Sequence, residues 1–199
     1  AITDGKHDVM LFSDAGKAVR FEEGDVRSMG RTARGVRGMR LGEGQRVVSM
    51  VVASEETQSV LTATENGFGK RTPVAEYTRH GRGTQGMNAI QASDRNGKLI
   101  GAVLVDDKDE LMLVSTGGIL IRTKVSQIRE MGRATQGVRL IDLDEGTRLA
   151  GIERVAETEE PNDGENGNGG NGTGGEHGGI IGDVHPPTEG DGGDEGEKP

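Results

Sequence analysis

The sequence predicts an all-β repeat protein: three propeller-type blades of about four antiparallel strands each, followed by a Gly-rich acidic tail without regular structure. Three observations predict it. The loop Met29-Gly30-Arg31-Thr32-Ala33-Arg34-Gly35-Val36 returns as His80-Gly81-Arg82-Gly83-Thr84-Gln85-Gly86-Met87 and as Met131-Gly132-Arg133-Ala134-Thr135-Gln136-Gly137-Val138, at a constant interval of 51 residues (80 − 29 and 131 − 80). Short apolar runs and turn residues recur in step with that loop, and no segment carries a 3.6-residue apolar period. The acid balance also changes abruptly: residues 1–155 hold 23 Lys plus Arg against 21 Asp plus Glu, whereas residues 156–199 hold one Lys against 12 acids, so +2 and −11 sum to the net −9.

Each repeat opens on an apolar run, Val9-Met10-Leu11-Phe12, Val60-Leu61-Thr62-Ala63 or Leu111-Met112-Leu113-Val114. A turn signal follows at Ala15-Gly16, Asn66-Gly67 and Gly117-Gly118, and then a second strand ending in Arg20, Arg71 or Arg122. Gly and Asn accept the positive φ of tight turns, so these pairs of runs predict β-hairpins. Val26, Tyr77 and Ile128 stand at equivalent positions before the Gly-Arg loop. After it, Met39/Leu41, Ile90/Ala92 and Ile141/Leu143 alternate with polar residues, which predicts a third, half-buried strand. A last apolar strand closes each unit at 47–52, 99–105 and 149–152. The second repeat carries two extra residues near Ser93-Asp94-Arg95-Asn96, expected to form a surface loop.

The expected units are 1–56, 57–107 and 108–156, with a disordered tail at 157–199 in which Gly, Asn, Asp and Glu leave too little apolar surface to offset ordering entropy. Its one apolar spot, Ile180-Ile181 with Val184, is expected to be chance within a linker. The chain has no Cys and no apolar run long enough for a membrane helix, and its first residues lack a signal-peptide pattern, so a cytoplasmic location without membrane contact is expected. Beginning in mid-pattern without Met, it reads as a piece of a longer polypeptide.

Arg27, Arg31, Arg34, Arg37 and Arg40 lie within 14 residues that contain no acid and are interleaved with Gly30, Gly35 and Gly38. Solvated charge runs normally mix signs. Here Gly lets a phosphate approach backbone N–H groups, and Arg offers a bidentate fork for phosphate oxygens, so the pattern predicts contact with a nucleic-acid backbone. Arg82 and Arg133 repeat Arg31, Arg139 repeats Arg37, and Arg79 and Arg129 flank the loops; all are assigned to the same surface. The strand-end residues Arg20, Arg71 and Arg122, with the flanking Lys70 and Lys124, fit either phosphate contact or pairing with an acid of the neighbouring blade, and the sequence leaves both open. The scarcity of aromatics, three Phe and one Tyr, argues against single-strand stacking platforms.

Other motifs fail on their own sister copies. Gly81-Arg82-Gly83-Thr84-Gln85-Gly86 fits GxGxxG, but Thr32 and Ala134 replace Gly83 elsewhere and no helix is expected after it. His7, His80, His177 and His185 lack metal-ligand spacing, and His80, which replaces Met29 and Met131, is expected to be structural. Tyr77 replaces Val26 and Ile128, which predicts packing, not a nucleophile. No catalytic residue and no metal site are expected.

Taken with its degenerate copies at Gly81–Gly86 and Gly30–Gly35, the stretch Gly132-Arg133-Ala134-Thr135-Gln136-Gly137-Val138-Arg139-Leu140-Ile141-Asp142-Leu143 resembles the C-terminal domain of the bacterial DNA gyrase A subunit. The resemblance covers residues 1–155, and the acidic tail fits it too. It implies a β-pinwheel of strand-exchanged blades that wraps double-stranded DNA around a basic rim. It also implies an enzyme whose other parts, the remainder of the A subunit together with the B subunit, use ATP and Mg²⁺ and are located with the bacterial nucleoid. The family's Gln-Arg-Arg-Gly-Gly-Lys-Gly box is absent, and three repeats stand where the family has six. A C-terminal half with the box upstream accounts for both; the related A subunit of topoisomerase IV or a propeller-type protein-binding scaffold are the alternatives. Whether the acidic tail competes with DNA for the rim or only solubilises the chain stays open.

Overall fold

Alternating apolar residues and a left-handed Gly at each tip build three hairpins. In the computed structural model, which describes residues 1–155, β1 (Asp8–Ser13) pairs with β2 (Lys17–Glu22), and β3 (Val47–Ala53) returns to the other edge of β1. The second repeat repeats this with β4 (Ser59–Thr64), β5 (Phe68–Pro73), a two-residue β6 (Met87–Asn88) and β7 (Leu99–Val105). The third has β8 (Glu110–Ser115), β9 (Leu120–Lys124), the two-residue β10 (Val138–Arg139) and β11 (Leu149–Val155). The hairpin glycines Gly16, Gly67 and Gly118 have φ of 74°, 80° and 82°, as the turn signals required. The acidic tail, its Ile180-Ile181 spot and its expected disorder lie outside the described residues.

The third strand of each repeat departs from expectation. Residues 89–92 and 140–143 form no regular strand; the short strand precedes them and is given away to the preceding repeat. Sheet orders are β3-β1-β2-β6, β10-β5-β4-β7 and β11-β8-β9, so β6 of the second repeat completes the first sheet and β10 of the third completes the second. Lys17 faces Asn88 and Ala18 faces Met87; one repeat later Phe68 faces Arg139 and Gly69 faces Val138. Periodicity located the first apolar residue of each pair, since Met39, Ile90 and Ile141 are buried, but Leu41 and Ala92 are exposed, and Ile90 and Ile141 sit in the core beyond the end of the ladder.

Each strand before the Gly-Arg loop ends in a single 3-10 turn, at Glu23–Asp25, Val74–Glu76 and Val125–Gln127. One turn is too short to leave a periodic signal in the sequence. Two cores fill the spaces between sheets. Met10, Phe12, Val60, Val74, Tyr77 and Leu99 join the first blade to the second, and Leu61, Leu111, Leu113, Ile128, Ile141 and Leu149 join the second to the third. Tyr77 is fully buried, edge-on to Phe12 with ring centroids 6.2 Å apart, so it packs as its equivalent Ile128 does, whereas Val26 in the first repeat is exposed. At the far ends of the sheets β3 packs on β7 and β7 on β11, opposite the edges that carry the exchanged strands.

The second glycine of each loop makes the exchange possible. Gly86 has φ 76°, and a Cβ there would lie 2.2 Å from the Ala18 carbonyl oxygen; Gly137 has φ 80°, with Gly69 O at 2.6 Å. Gly86→Ala should therefore destabilise the protein by roughly 2 kcal/mol or more in thermal or urea unfolding, from left-handed strain plus the backbone clash, whereas Gly24→Ala, with ordinary φ and open space, should stay within about 0.5 kcal/mol.

Candidate nucleic-acid interface

The first Gly-Arg loop is an exposed, irregular segment between the 3-10 turn of the first blade and Met39. Arg27, Arg31, Arg34, Arg37 and Arg40 are all exposed, and none makes an ion pair among the described residues. A Cβ at Gly30 or Gly35 would meet nothing within 4 Å, so the backbone here is open to an incoming anion. The loop is anchored towards its end, where Arg40 N donates to Thr84 O (2.7 Å) and Gly83 N donates to Gly38 O (2.6 Å). Five cations on one open segment, with no acid among them, create a local positive potential that the near-neutral charge of residues 1–155 conceals.

The second and third copies are used differently. Arg82 Nε donates to Asp25 O (3.0 Å) and its NH1 to Arg37 O (3.2 Å). One repeat on, Arg133 NH1 donates to Asn88 O (3.4 Å), the counterpart of Arg37 O, and Arg133 N donates to Glu76 Oε2 (3.3 Å). The recurring Arg is thus a staple between consecutive loops. It keeps further donors exposed in Arg82, while Arg133 is half-buried.

Burial decides between the two roles open to the strand-end cations. Arg20 is buried, bonds Asp8 Oδ2 (2.6 Å) and Glu56 Oε1 (3.0 Å), and donates to Val74 O and Tyr77 O of the next blade. Arg71 repeats the role: its Nε donates to Ile128 O (2.7 Å) and it pairs with Asp107. Lys70 beside it is fully buried, with its ammonium donating to Gly132 O and to Thr72 Oγ1 (3.1 Å). Desolvation pushes its pKa down to about 8, opposed by Glu76 and reinforced by Arg133. Of the two roles the sequence left open, Lys70 and Arg71 take the structural one, with their side chains engaged at the junction with the third repeat and not displayed as free surface cations. Arg122 remains exposed, paired with Glu110 of its own blade, and Lys124 is exposed.

Among the flanking cations, Arg79 bonds Asp8 (3.1 Å) and Glu22 (2.6 Å), and these carboxylates hold its guanidinium further above its ordinary pKa. Arg129 is exposed, with only its carbonyl engaged, by Arg71 N. Arg139 pairs with Asp142 and lies over the Phe68 ring at 5.4 Å. Arg95, which the repeat pattern places only in a surface insertion, lies over the same ring at 4.7 Å and reaches Gln136 of the third loop (3.4 Å). The insertion is only partly a surface loop: Asn96 is fully buried and donates to Gln91 O (2.9 Å) and Gln136 O (3.0 Å), tying the insertion to the next repeat. No pattern in the sequence marks this, because the second repeat alone carries it. His80 has its backbone N donating to Arg20 O (2.8 Å) and its residue surface exposed. Asp4, His7 and Glu23 bring ligand atoms within 4.8 Å of one another, a grouping their spacing hid; Gln58 and Val74 replace His7 and Glu23 in the second repeat, so it is no property of the blade.

The sequence profile described as "DNA gyrase C-terminal domain, beta-propeller" matches residues 7–54, 58–106 and 109–156. The chain belongs to this family. It is 55% identical to the DNA gyrase A subunit of Pseudomonas aeruginosa over 157 residues and 50% identical to that of Escherichia coli over 162, covering 79% and 81% of the chain but only 17% and 18% of those relatives. Among solved structures, a DNA gyrase A C-terminal domain matches with TM-score 0.72 at 28% identity, over 77% of this chain and 52% of that one. The C-terminal domain of a DNA topoisomerase IV matches with TM-score 0.74 at 28% identity, over 78% and 48%. The pinwheel fold alone does not separate these two relatives, whereas the sequence similarity lies with the gyrase A subunit. The GxGxxG-like loop has no nucleotide-binding setting in this fold: β6 follows Gly86 and pairs with β2, where a dinucleotide site needs a helix.

The cation geometry has measurable consequences for stability. With Lys70 depressed to about 8 in the folded state and near 10.5 when unfolded, the unfolded chain binds more protons between those values, so stability contributed at this site rises with pH from 8 to 10.5. The unfolding midpoint of the parent protein relative to Lys70→Met should climb across that window and be flat below it. Arg20→Ala, which leaves Asp8 buried beside only the half-exposed Arg79, should cost about 3 kcal/mol, and Arg122→Ala less than about 1 kcal/mol, by urea unfolding.

Proposed function

We propose that this chain is a DNA-wrapping module of the DNA gyrase A subunit, within a type IIA topoisomerase. The observation that carries this reading is the first Gly-Arg loop: five exposed Arg side chains without ion-pair partners among the described residues, on a backbone opened by Gly30 and Gly35. Arg27, Arg31, Arg34, Arg37 and Arg40 bind phosphates of one duplex segment. Arg82, Arg129, Arg133 and Arg139 continue the track along the same sheet edges with the donors their staples leave over, and Arg95 adds a cation beside Arg139. Lys124 and Arg122 extend it onto the third blade. Lys70 and Arg71 drop out because they are held between blades, and Arg79 contributes little because two carboxylates neutralise it.

Wrapping a duplex over so small a body costs several kcal/mol per tens of base pairs by elastic estimates, and phosphate contacts with counterion release offset it. Such contacts position DNA without reading bases, so the module accepts duplexes of any sequence. The remainder of the A subunit, together with the B subunit, supplies the cleavage chemistry and the ATP and Mg²⁺ sites in a heterotetramer, in the bacterial cytoplasm at the nucleoid. The wrap presents a second duplex segment to that machinery and supports negative supercoiling.

Replacing Arg31, Arg34 and Arg37 together by Ala in the full chain should weaken binding to unrelated duplexes alike and lower the slope of log K against log salt by about 2.7, taking roughly 0.9 per phosphate contact. Lys70→Met should leave that slope unchanged. Unaltered affinity and slope in the triple variant would refute the assignment.

A further inference from the structure

We propose that Arg95 and Arg139, both carried on the ring of Phe68, form a preset clamp for two neighbouring phosphates of one DNA strand, where the duplex crosses from the second repeat to the third. The clamp rests on duplex binding by this chain and adds a fixed point to it, with Phe68 as the positioning residue that touches no DNA. Arg95 lies outside the Gly-Arg loops, at the tip of the turn Ser93–Gly97. That turn is tied from within: Asn96 is fully buried, its Oδ1 accepts from Ser93 N (2.8 Å) and Ser93 Oγ (3.0 Å), and its Nδ2 donates to Gln91 O and Gln136 O. Gly97 closes the turn with a φ of 74°, its N donating to Ser93 O (2.8 Å).

The same turn is tied from outside by the hairpin of the second repeat. Asn66 Nδ2 donates to Asp94 O (3.3 Å) and to Arg95 O (3.2 Å). Asn66 stands two residues before Phe68, the first residue of β5, so one hairpin tip positions both the backbone of Arg95 and the ring beneath its side chain. Arg139 reaches that ring from the exchanged strand β10, whose register sets Arg139 opposite Phe68.

Phe68 itself is buried, while both arginines are exposed. Their guanidinium carbons lie 4.7 Å (Arg95) and 5.4 Å (Arg139) from the ring centroid, within the distance of about 6 Å at which a cation is attracted to an aromatic face. A guanidinium donates in its own plane, so a ring against its face leaves its N–H edges free. The polar contacts of the two side chains are light: Arg95 NH1 reaches Gln136 Oε1 at 3.4 Å, and Arg139 pairs with Asp142, the two side chains being 62% and 83% exposed. Such an exposed pair contributes little, and a phosphate oxygen can take the place of Asp142. Two cations brought to one ring repel each other unless an anion lies across them. The two guanidinium carbons stand no more than about 10 Å apart (4.7 + 5.4), a span that fits neighbouring phosphates of one strand.

The junction between the first and second repeats is built differently. Lys17 takes the place of Phe68 and Asn88 that of Arg139, and the Lys17 ammonium donates to Asn88 Oδ1 at 2.6 Å. The loops that correspond to 92–97 run over 41–45 and 143–147, and they carry Glu43 and Glu145 with no Lys or Arg. The clamp is therefore a feature of the second repeat and not of the blade pattern. An unpartnered Arg of the first loop loses rotamer freedom when it meets a phosphate, whereas Arg95 and Arg139 are already ordered on Phe68, so each of their contacts retains more of its binding energy.

Binding of the full chain to a mixed-sequence duplex, followed by fluorescence anisotropy over a range of salt, tests the clamp. Arg95→Ala and Arg139→Ala should each lower the slope of log K against log salt by roughly 0.9. Arg95→Lys, at an exposed position, keeps the charge and loses the planar fork, so the slope should hold while affinity falls at least threefold. Phe68→Leu should act in the same way, with an unchanged slope and at least threefold weaker binding, but should have no effect in the Arg95→Ala/Arg139→Ala background. Urea unfolding shows whether Phe68→Leu is folded; if it is not, Arg95→Lys decides. Affinity and slope indifferent to both Arg95 variants, in a chain that loses binding on replacement of Arg31, Arg34 and Arg37, would overturn the clamp and leave the wrapping function standing. A loss from Phe68→Leu that persists without the two arginines would also overturn it. A parent chain that binds no duplex at any salt would overturn both.

Discussion

The backbone ladder between one repeat's hairpin and the next repeat's two-residue strand is the interaction on which the molecule depends. It is short, Lys17–Ala18 against Asn88–Met87 and Phe68–Gly69 against Arg139–Val138, yet it fixes where everything else lies. Pairing at that edge brings Tyr77 and Ile90 into the first core and Ile128 and Ile141 into the second. It also sets the Gly-Arg loops in sequence along one side of the sheets, each stapled to the next by Arg82 or Arg133. A four-stranded sheet that borrows its last strand cannot be complete without its neighbour, which is why the repeat is the unit of sequence but the junction is the unit of stability.

Arginine does two jobs here, and burial decides between them. Where a neighbouring blade offers a carbonyl and an acid, as at Arg20 and Arg71, the guanidinium is desolvated and its planar fork is filled by protein acceptors. Where the described residues offer no such acceptors, as for Arg27 to Arg40, the same side chain is exposed and makes no ion pair among them. Arg82 and Arg133 lie between these limits, stapling loops while exposing part of the fork. The rim is therefore assembled by the same contacts that hold the blades together, and weakening a staple disturbs both.

Much of this was legible in the residues. The 51-residue interval, the hairpin turns at Gly16, Gly67 and Gly118, the core role of Tyr77 and the exposed Arg run all follow from local rules. The strand exchange was not legible from periodicity, because apolar alternation reports which side chains are buried and not which sheet owns the backbone; Ile90 and Ile141 alternate correctly yet lie beyond the ladder. The single 3-10 turns are shorter than any period. The role of Lys70 could not be settled from the sequence because its ammonium is held by Thr72 Oγ1 two residues on and by the third repeat's Gly132 carbonyl, 62 residues away, which no local pattern brings next to it. Arg95 and Asn96 belong to a loop one residue longer than its sister loops and different from them in sequence, so comparison between copies had nothing to say about them.

The exchanged strand also has a consequence during synthesis. As the chain leaves the ribosome from its N-terminus, β1, β2 and β3 are available once residue 53 has emerged, but the edge of β2 stays unpaired until Asn88 follows. At about 5–20 residues per second, that gap of 35 residues (88 − 53) leaves a nascent sheet edge exposed for roughly two to seven seconds. Lys17 occupies that edge, and its ammonium, later bonded to Asn88 Oδ1 at 2.6 Å, is the kind of charge that discourages wrong strand pairing. The residue that greets the correct strand thus also guards the place for it.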